Sequence, residues 1–152
     1  MSIRQRILKE YRTLEYNKLP GIEVILTENL HQFYADLKIT DNDLYPNTYR
    51  LKISIPEDYP FVAPVVVFVR DEDEGINEIP IHPHIYSNGH ICLDLLGPGW
   101  VPVQTVSSLL LSIQSILASN DRNERPPDDE RYCKGAPKNP TKTRFTYHDE
   151  TV

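Results

Sequence analysis

Two seven-residue stretches set the terms on which this chain folds. In 33–39, Phe33, Ala35, Leu37 and Ile39 alternate with Tyr34, Asp36 and Lys38; in 49–55, Tyr49, Leu51, Ile53 and Ile55 alternate with Arg50, Lys52 and Ser54. A period of two sends successive side chains to opposite faces, so both stretches read as strands of a sheet with one buried and one wet face. Asp41-Asn42-Asp43 and Tyr45-Pro46-Asn47 supply turn chemistry between them. Val65-Val66-Val67-Phe68-Val69 is the next strand, and Pro60 and Pro64 keep its approach extended and stiff.

Helices flank this sheet. Residues 3–17 carry Ile3, Ile7, Leu8, Tyr11 and Leu14 on one stripe, with Ser2 and Gln5 as a capping box and Leu19-Pro20-Gly21 as the stop. A second helix is expected from Thr105 to Ala118, burying Val106, Leu109, Leu110, Ile113 and Leu117, and a short one restarts near Pro126-Pro127-Asp128. Between Arg70 and His90 nothing is periodic, and irregular segments of that length in a small domain are usually functional or disordered. The expected class is α+β: an N-terminal helix, an antiparallel meander, a long loop, C-terminal helices and a tail. No internal repeat is present. At 152 residues the chain reads as one domain.

No apolar run is long enough to span a bilayer, and the N-terminus lacks the apolar core of a secretory signal, so cytosol or nucleus is the expected compartment. A net charge of −6 argues against general nucleic-acid binding, yet residues 1–20 hold Arg4, Arg6, Lys9, Arg12 and Lys18 against Glu10 and Glu15. Such a basic helix suits an acidic protein partner. Residues 71–74 are all acidic and read as solvated surface.

Chemistry concentrates in His82-Pro83-His84-Ile85-Tyr86-Ser87-Asn88-Gly89-His90-Ile91-Cys92. Zinc is one reading, but His82, His84, His90 and Cys92 lack the paired spacing of structural zinc sites. A cysteine hydrolase is another, without any of the local signatures of that class. A third is a thiol that carries an acyl group as a thioester, which needs access, modest activation and donors for an oxyanion. A buried, inert cysteine is the plain alternative. Cys133 is the only other cysteine, and nothing suggests a disulfide-stapled fold.

Tyr59-Pro60-Phe61 with Pro64, His82-Pro83, Gly89-His90-Ile91-Cys92-Leu93, Trp100 eight residues later and Leu111–Leu117 in the following helix together resemble the ubiquitin-conjugating enzymes, in order and over essentially the whole chain. The resemblance implies that residues 1–135 are the catalytic core. Cys92 would accept the ubiquitin C-terminus from an activating enzyme, with His82, Pro83 and Asn88 as loop framework. Arg4, Arg6, Lys9, Phe61 and Pro102 would contact the activating enzyme and a RING or U-box ligase. It implies no metal and no bound cofactor, ATP being used upstream by the activating enzyme. Asp128, after Pro126-Pro127, falls where the family has an acidic residue beside the cysteine, to orient the incoming amine or take its proton; helix capping is the competing role.

Most members have Asn where this chain has His84. His82-Pro83-His84 with Tyr86-Ser87-Asn88-Gly89-His90-Ile91-Cys92, and the tail residues 138–144 with 147–149, resemble the W-type branch, which modifies protein N-terminal α-amines. His84 then acts as loop support or as a titrating donor, near pH ~6.5 if unperturbed. An α-amine titrates near ~7.7–8.0 and lysine near ~10.4, so the neutral fraction at pH 7 differs about hundredfold. A site with little means of deprotonating lysine favours α-amines. The basic tail 136–152 is expected to be mobile and to face flexible substrate N-termini, giving monoubiquitination. Departures from the family pattern are the acidic insertion in 70–80 and the valines Val101 and Val103 around Pro102. The rival readings are a conjugating enzyme for lysines or another modifier, and an inactive ubiquitin-binding scaffold, a class that lacks the cysteine.

Overall fold

The computed structural model describes residues 1–140. Helix α1 (Ile3–Tyr16) opens with the expected capping box: the Ser2 hydroxyl accepts from the Gln5 N–H while the Gln5 side chain accepts from the Ser2 N–H. Strands β1 (Ile22–Leu26), β2 (Gln32–Lys38), β3 (Thr48–Ser54) and β4 (Val65–Val69) follow as an antiparallel meander in the order β1-β2-β3-β4. Helix α2 (Val106–Ala118) is capped by Thr105 with Ser108, and α3 (Asp129–Gly135) closes the described chain.

The alternation of β2 and β3 decides the register. Phe33 faces Ile53, Ala35 faces Leu51 and Leu37 faces Tyr49, so the apolar stripes of both strands meet on one side. All six are buried, and the core they form also takes in Ile7 and Leu14 of α1 and Leu109, Leu110, Ile113 and Leu117 of α2. Each buried Leu, Ile or Phe among them contributes roughly 1.5–3 kcal/mol by leaving water.

Three features depart from the sequence reading. Strand β1 was not expected: its five edge residues show no clean alternation, and its pairing to β2 is what makes it a strand. Arg50, assigned to the wet face, is only 8% exposed. Its guanidinium grips both carboxylate oxygens of the cross-strand Asp36, at 2.7 and 2.9 Å, and Asp71 at 3.1 Å. The stretch 70–90 is irregular yet well tied. Asp71 and Ile76 exchange backbone hydrogen bonds around a short 3-10 turn (Glu72–Glu74), and Ile76 is buried. Further bridges join Val67 to His90, His82 to Ile85 and Ile85 to Ile91.

One polar cluster joins both long helices to the loops beside them. Glu10 is 7% exposed, and its carboxylate accepts from the first backbone N–H of α2, Val106, at 2.7 Å. It also accepts from the Tyr59 hydroxyl and pairs with Arg6 at 3.0 Å.

Candidate active site

The segment 82–92 doubles back on itself, so its two ends lie side by side. The Cys92 N–H donates to the His84 carbonyl at 2.7 Å, and the Tyr86 N–H donates to the His90 carbonyl at 2.9 Å. Between them Gly89 turns the chain at φ +94°, with its Cα pressed on β4. A Cβ there would sit 2.0 Å from the Phe68 carbonyl oxygen, so only glycine fits. The Asn88 side chain supports the same turn by accepting from the His90 N–H at 3.1 Å.

The histidines serve as framework. His82 is fully buried; its Nδ1 accepts from the His84 N–H at 2.9 Å, so Nε2 carries the proton and donates to the Ile116 carbonyl on α2 at 3.1 Å. Burial, and next the proximity of His84, lower its pKa to about 4, against a smaller upward pull from the Ile116 carbonyl. The His84 ring is also buried and donates from Nδ1 to the Cys92 carbonyl at 3.0 Å, so this histidine braces the main chain of the cysteine. Pro83, half-buried, links the two. Cys92 itself is 3% exposed.

Helix α3 forms the opposite wall. Asp128 occupies the N-cap position of α3, but its carboxylate caps nothing. It accepts instead from the Tyr86 hydroxyl at 3.1 Å, which argues against the capping role. Burial first, then the Asp128 charge, raise the Tyr86 pKa, keeping its proton in place for that bond. Asp129 accepts from the Ser87 N–H at 2.8 Å. Tyr132 stacks on Tyr86 with ring centres 3.9 Å apart, and the half-buried Cys133 lies 3.4 Å from the Ser87 hydroxyl. Neither Cys92 nor Cys133 forms a disulfide.

Sequence reasoning missed Arg125, Tyr86 and Tyr132. Arg125 donates to the carbonyls of Ile79, Pro80 and Ile85 at 2.8–3.1 Å, clamping the base of the loop from a linker 40 to 46 residues away in sequence. No local pattern marks such a residue. The stacked tyrosines would have shown only as aromatics flanking the loop and opening α3.

The remaining site residues lie on the α1 side. Arg4 and Lys9 are exposed on α1. Arg6 turns inward and donates to the carbonyls of Pro102 and Gln104, at 3.0 and 2.8 Å. The Trp100 indole N–H donates to the Pro60 carbonyl at 2.7 Å, which brings the two loops together. Phe61 is 79% exposed and Val103 83%, with Pro102 and Val101 also exposed. Among the described residues no group of three or more His, Cys, Asp and Glu could hold a metal ion, and no helix is long and apolar enough to cross a membrane.

Comparison with known proteins fits this layout. The sequence profile described as "Ubiquitin-conjugating enzyme" matches residues 6–148. The chain is 41% identical over 150 residues to ubiquitin-conjugating enzyme 15 of Arabidopsis thaliana, covering 97% of this chain and 89% of that protein. It is 38% identical to ubiquitin-conjugating enzyme E2 W of Caenorhabditis elegans, covering 97% and 96%. The crystal structure of ubiquitin conjugating enzyme E2 UbcA1 from Agrocybe aegerita superposes with a TM-score of 0.83 at 37% identity, over 92% of this chain and 99% of that one. Fold and comparisons thus define a transferase that works through thioester intermediates. The chain belongs to the ubiquitin-conjugating enzyme family, whose members in general work with ubiquitin, an activating enzyme and ligases.

Proposed function

We propose that Cys92 carries ubiquitin as a thioester and passes it to the α-amino groups of protein N-termini. In loading, the Cys92 thiolate attacks the ubiquitin carbonyl on the activating enzyme, whose own cysteine leaves as thiolate. In transfer, an amine attacks the Cys92 thioester, a C–N bond forms, the C–S bond breaks, and the amine proton passes to a base. We assign the orienting of that amine to Asp128, whose carboxylate is held by the Tyr86 hydroxyl.

The observation that carries the selectivity is the His84 ring, whose Nδ1 is committed as a donor to the Cys92 carbonyl. A site so furnished has little with which to strip a proton from lysine. The about hundredfold larger neutral fraction of an α-amine at pH 7 then decides the outcome. The W-type pattern of His82-Pro83-His84 supports the same reading. Flexible N-termini are the substrates, and a RING or U-box ligase binds at Phe61 and Pro102 beside the surface of Arg4 and Lys9. The protein holds no cofactor of its own, since ATP is consumed by the activating enzyme, and it works in the cytosol or nucleus. The substrate-facing part of the tail, including Lys142, Arg144 and Tyr147, lies outside the described residues.

Incubation with activating enzyme, ATP and ubiquitin followed by a non-reducing gel tests the first step. A thiol-sensitive adduct absent from Cys92→Ser is expected, and its absence from the unaltered protein would leave a scaffold. Exchanging ubiquitin for another modifier tests which one is carried. Discharge to a peptide whose only amine is terminal should exceed discharge to an N-acetylated lysine peptide by about two orders of magnitude. Equal rates would refute the selectivity.

A further inference from the structure

Of the basic residues of α1, Arg4, Lys9 and Arg12 lie exposed while Arg6 turns inward, its side chain 21% exposed. Its guanidinium sits at the junction of two loops. Nη2 donates to the carbonyls of Pro102 and Gln104, on either side of Val103, at 3.0 and 2.8 Å. The guanidinium carbon lies 5.4 Å from the centre of the Tyr59 ring, close before Phe61 in the other loop. Nε donates to Glu10 at 3.0 Å, and the same carboxylate oxygen accepts from the Tyr59 hydroxyl. The Trp100 indole packs into the junction too, with its N–H on the Pro60 carbonyl and its ring 5.8 Å from that of Tyr59.

The turn around Pro102 has little else to hold it. The Gln104 N–H donates to the Val101 carbonyl at 3.0 Å, and the Gln104 amide to the Gly99 carbonyl at 3.3 Å, both local bonds. The Gln104 Oε1 is buried with no hydrogen-bond partner among the described residues. Among those residues, the hydrogen bonds that join 101–104 to a distant part of the chain come from Arg6. A planar guanidinium can reach two carbonyls and a carboxylate at once, which an ammonium cannot. With its backbone drawn inward at 102 and 104, the turn leaves Pro102 and Val103 exposed, as Phe61 is on the neighbouring loop.

We propose that Arg6 is a positioning residue for ligase recognition: it joins the Pro102 turn to the Phe61 loop from beneath, and so holds Phe61, Pro102 and Val103 at the spacing that one ligase surface meets. Its donors serve its own chain and not the partner. This rests on the reading of Phe61 and Pro102 as the ligase-binding surface given above.

The test compares Arg6→Met and Arg6→Lys in the full chain. Hydrogen exchange at the Gln104 amide is read in the free protein. Single-turnover discharge of preloaded ubiquitin is read against the concentration of an isolated RING domain chosen because it stimulates the unaltered protein. Methionine keeps an apolar stem and removes the donors. Gln104 exchange and the half-saturating RING concentration should each rise about tenfold, the effect of losing roughly one net charge-assisted hydrogen bond. The limiting stimulated rate should stay within about twofold. Lysine keeps the charge beside Glu10 and loses the fork, so it should move both readouts by about threefold, which keeps the test valid if Arg6→Met fails to fold.

A raised half-saturating concentration with unchanged Gln104 exchange would overturn the proposal, since it marks a side chain that touches the ligase directly. Raised exchange with unchanged saturation would overturn it as well, since it marks a merely structural residue. So would a lysine variant equal to the unaltered protein, which needs charge alone. Failure of the ligase reading is seen separately, as Phe61→Ala leaving RING stimulation unchanged or no RING or U-box domain stimulating the unaltered protein, and the proposal falls with it.

Discussion

Acidification should loosen the Cys92 loop through His82. In the folded protein this imidazole is buried, bonded at both nitrogens and titrates at about 4 rather than 6.5. Above pH 6.5 it is neutral in the folded and unfolded chains alike, and its environment costs nothing. Below 6.5 the unfolded chain takes up a proton that the folded one refuses, so stability falls as pH falls, by about 1.4 kcal/mol per pH unit until about pH 4. From pH 7 to pH 5 the His82 share is about 2 kcal/mol. For a domain of this size that lowers the melting temperature by about 4–8 °C. Because carboxylates and His90 also titrate, the assay is a difference: urea unfolding at pH 7, 6 and 5 for the unaltered protein and for His82→Gln. An uncharged amide can accept from His84 and donate to Ile116. It should cost stability at pH 7 through imperfect fit yet lack the His82 part of the slope, so the two curves converge by about 2 kcal/mol at pH 5. Parallel curves would refute the assignment of a buried, neutral His82.

Three further outcomes follow from the geometry. Arg125→Met deprives three loop carbonyls of a charged donor and should cost about 2–4 kcal/mol by urea unfolding; Arg125→Lys, lacking the planar fork, should recover less than half. Gly89→Ala combines a clash with the Phe68 carbonyl and a positive φ, and should lower stability by more than about 2 kcal/mol, seen as a fall in melting temperature. Phe61→Ala removes an exposed ring, so unfolding should change by less than about 0.5 kcal/mol while ligase-stimulated discharge drops at least tenfold at unchanged loading.

What the chain reveals before folding depends on how far apart the cooperating residues lie. Helices α1 and α2 and strands β2 and β3 announce themselves because each carries its own apolar stripe at the right period. Strand β1 does not, because an edge strand of five residues owes its state to its neighbour. The site divides the same way. Cys92, His82, Pro83 and His84 form one local run, so their grouping is plain. That His84 braces the Cys92 carbonyl, or that Arg125 clamps Ile79, Pro80 and Ile85, depends on contacts no short window contains. Arg50 shows the cost of trusting alternation alone: Asp36 and the folded-over Asp71 loop bury a residue that the pattern assigns to water.

Helix α1 keeps two kinds of information on separate faces. Arg6 and Glu10 look inward, where they hold Pro102, Gln104, Tyr59 and the first turn of α2 in place, while Arg4 and Lys9 look outward. Substitutions at the outward positions therefore leave the architecture undisturbed, so if that face meets the upstream enzyme as proposed, new pairings are open to drift or to engineering. A helix transplanted from a relative behaves differently. Unless it brings an acid at position 10, the Val106 N–H and the Tyr59 hydroxyl lose their acceptor, and the graft fails by unfolding long before its recognition is tested.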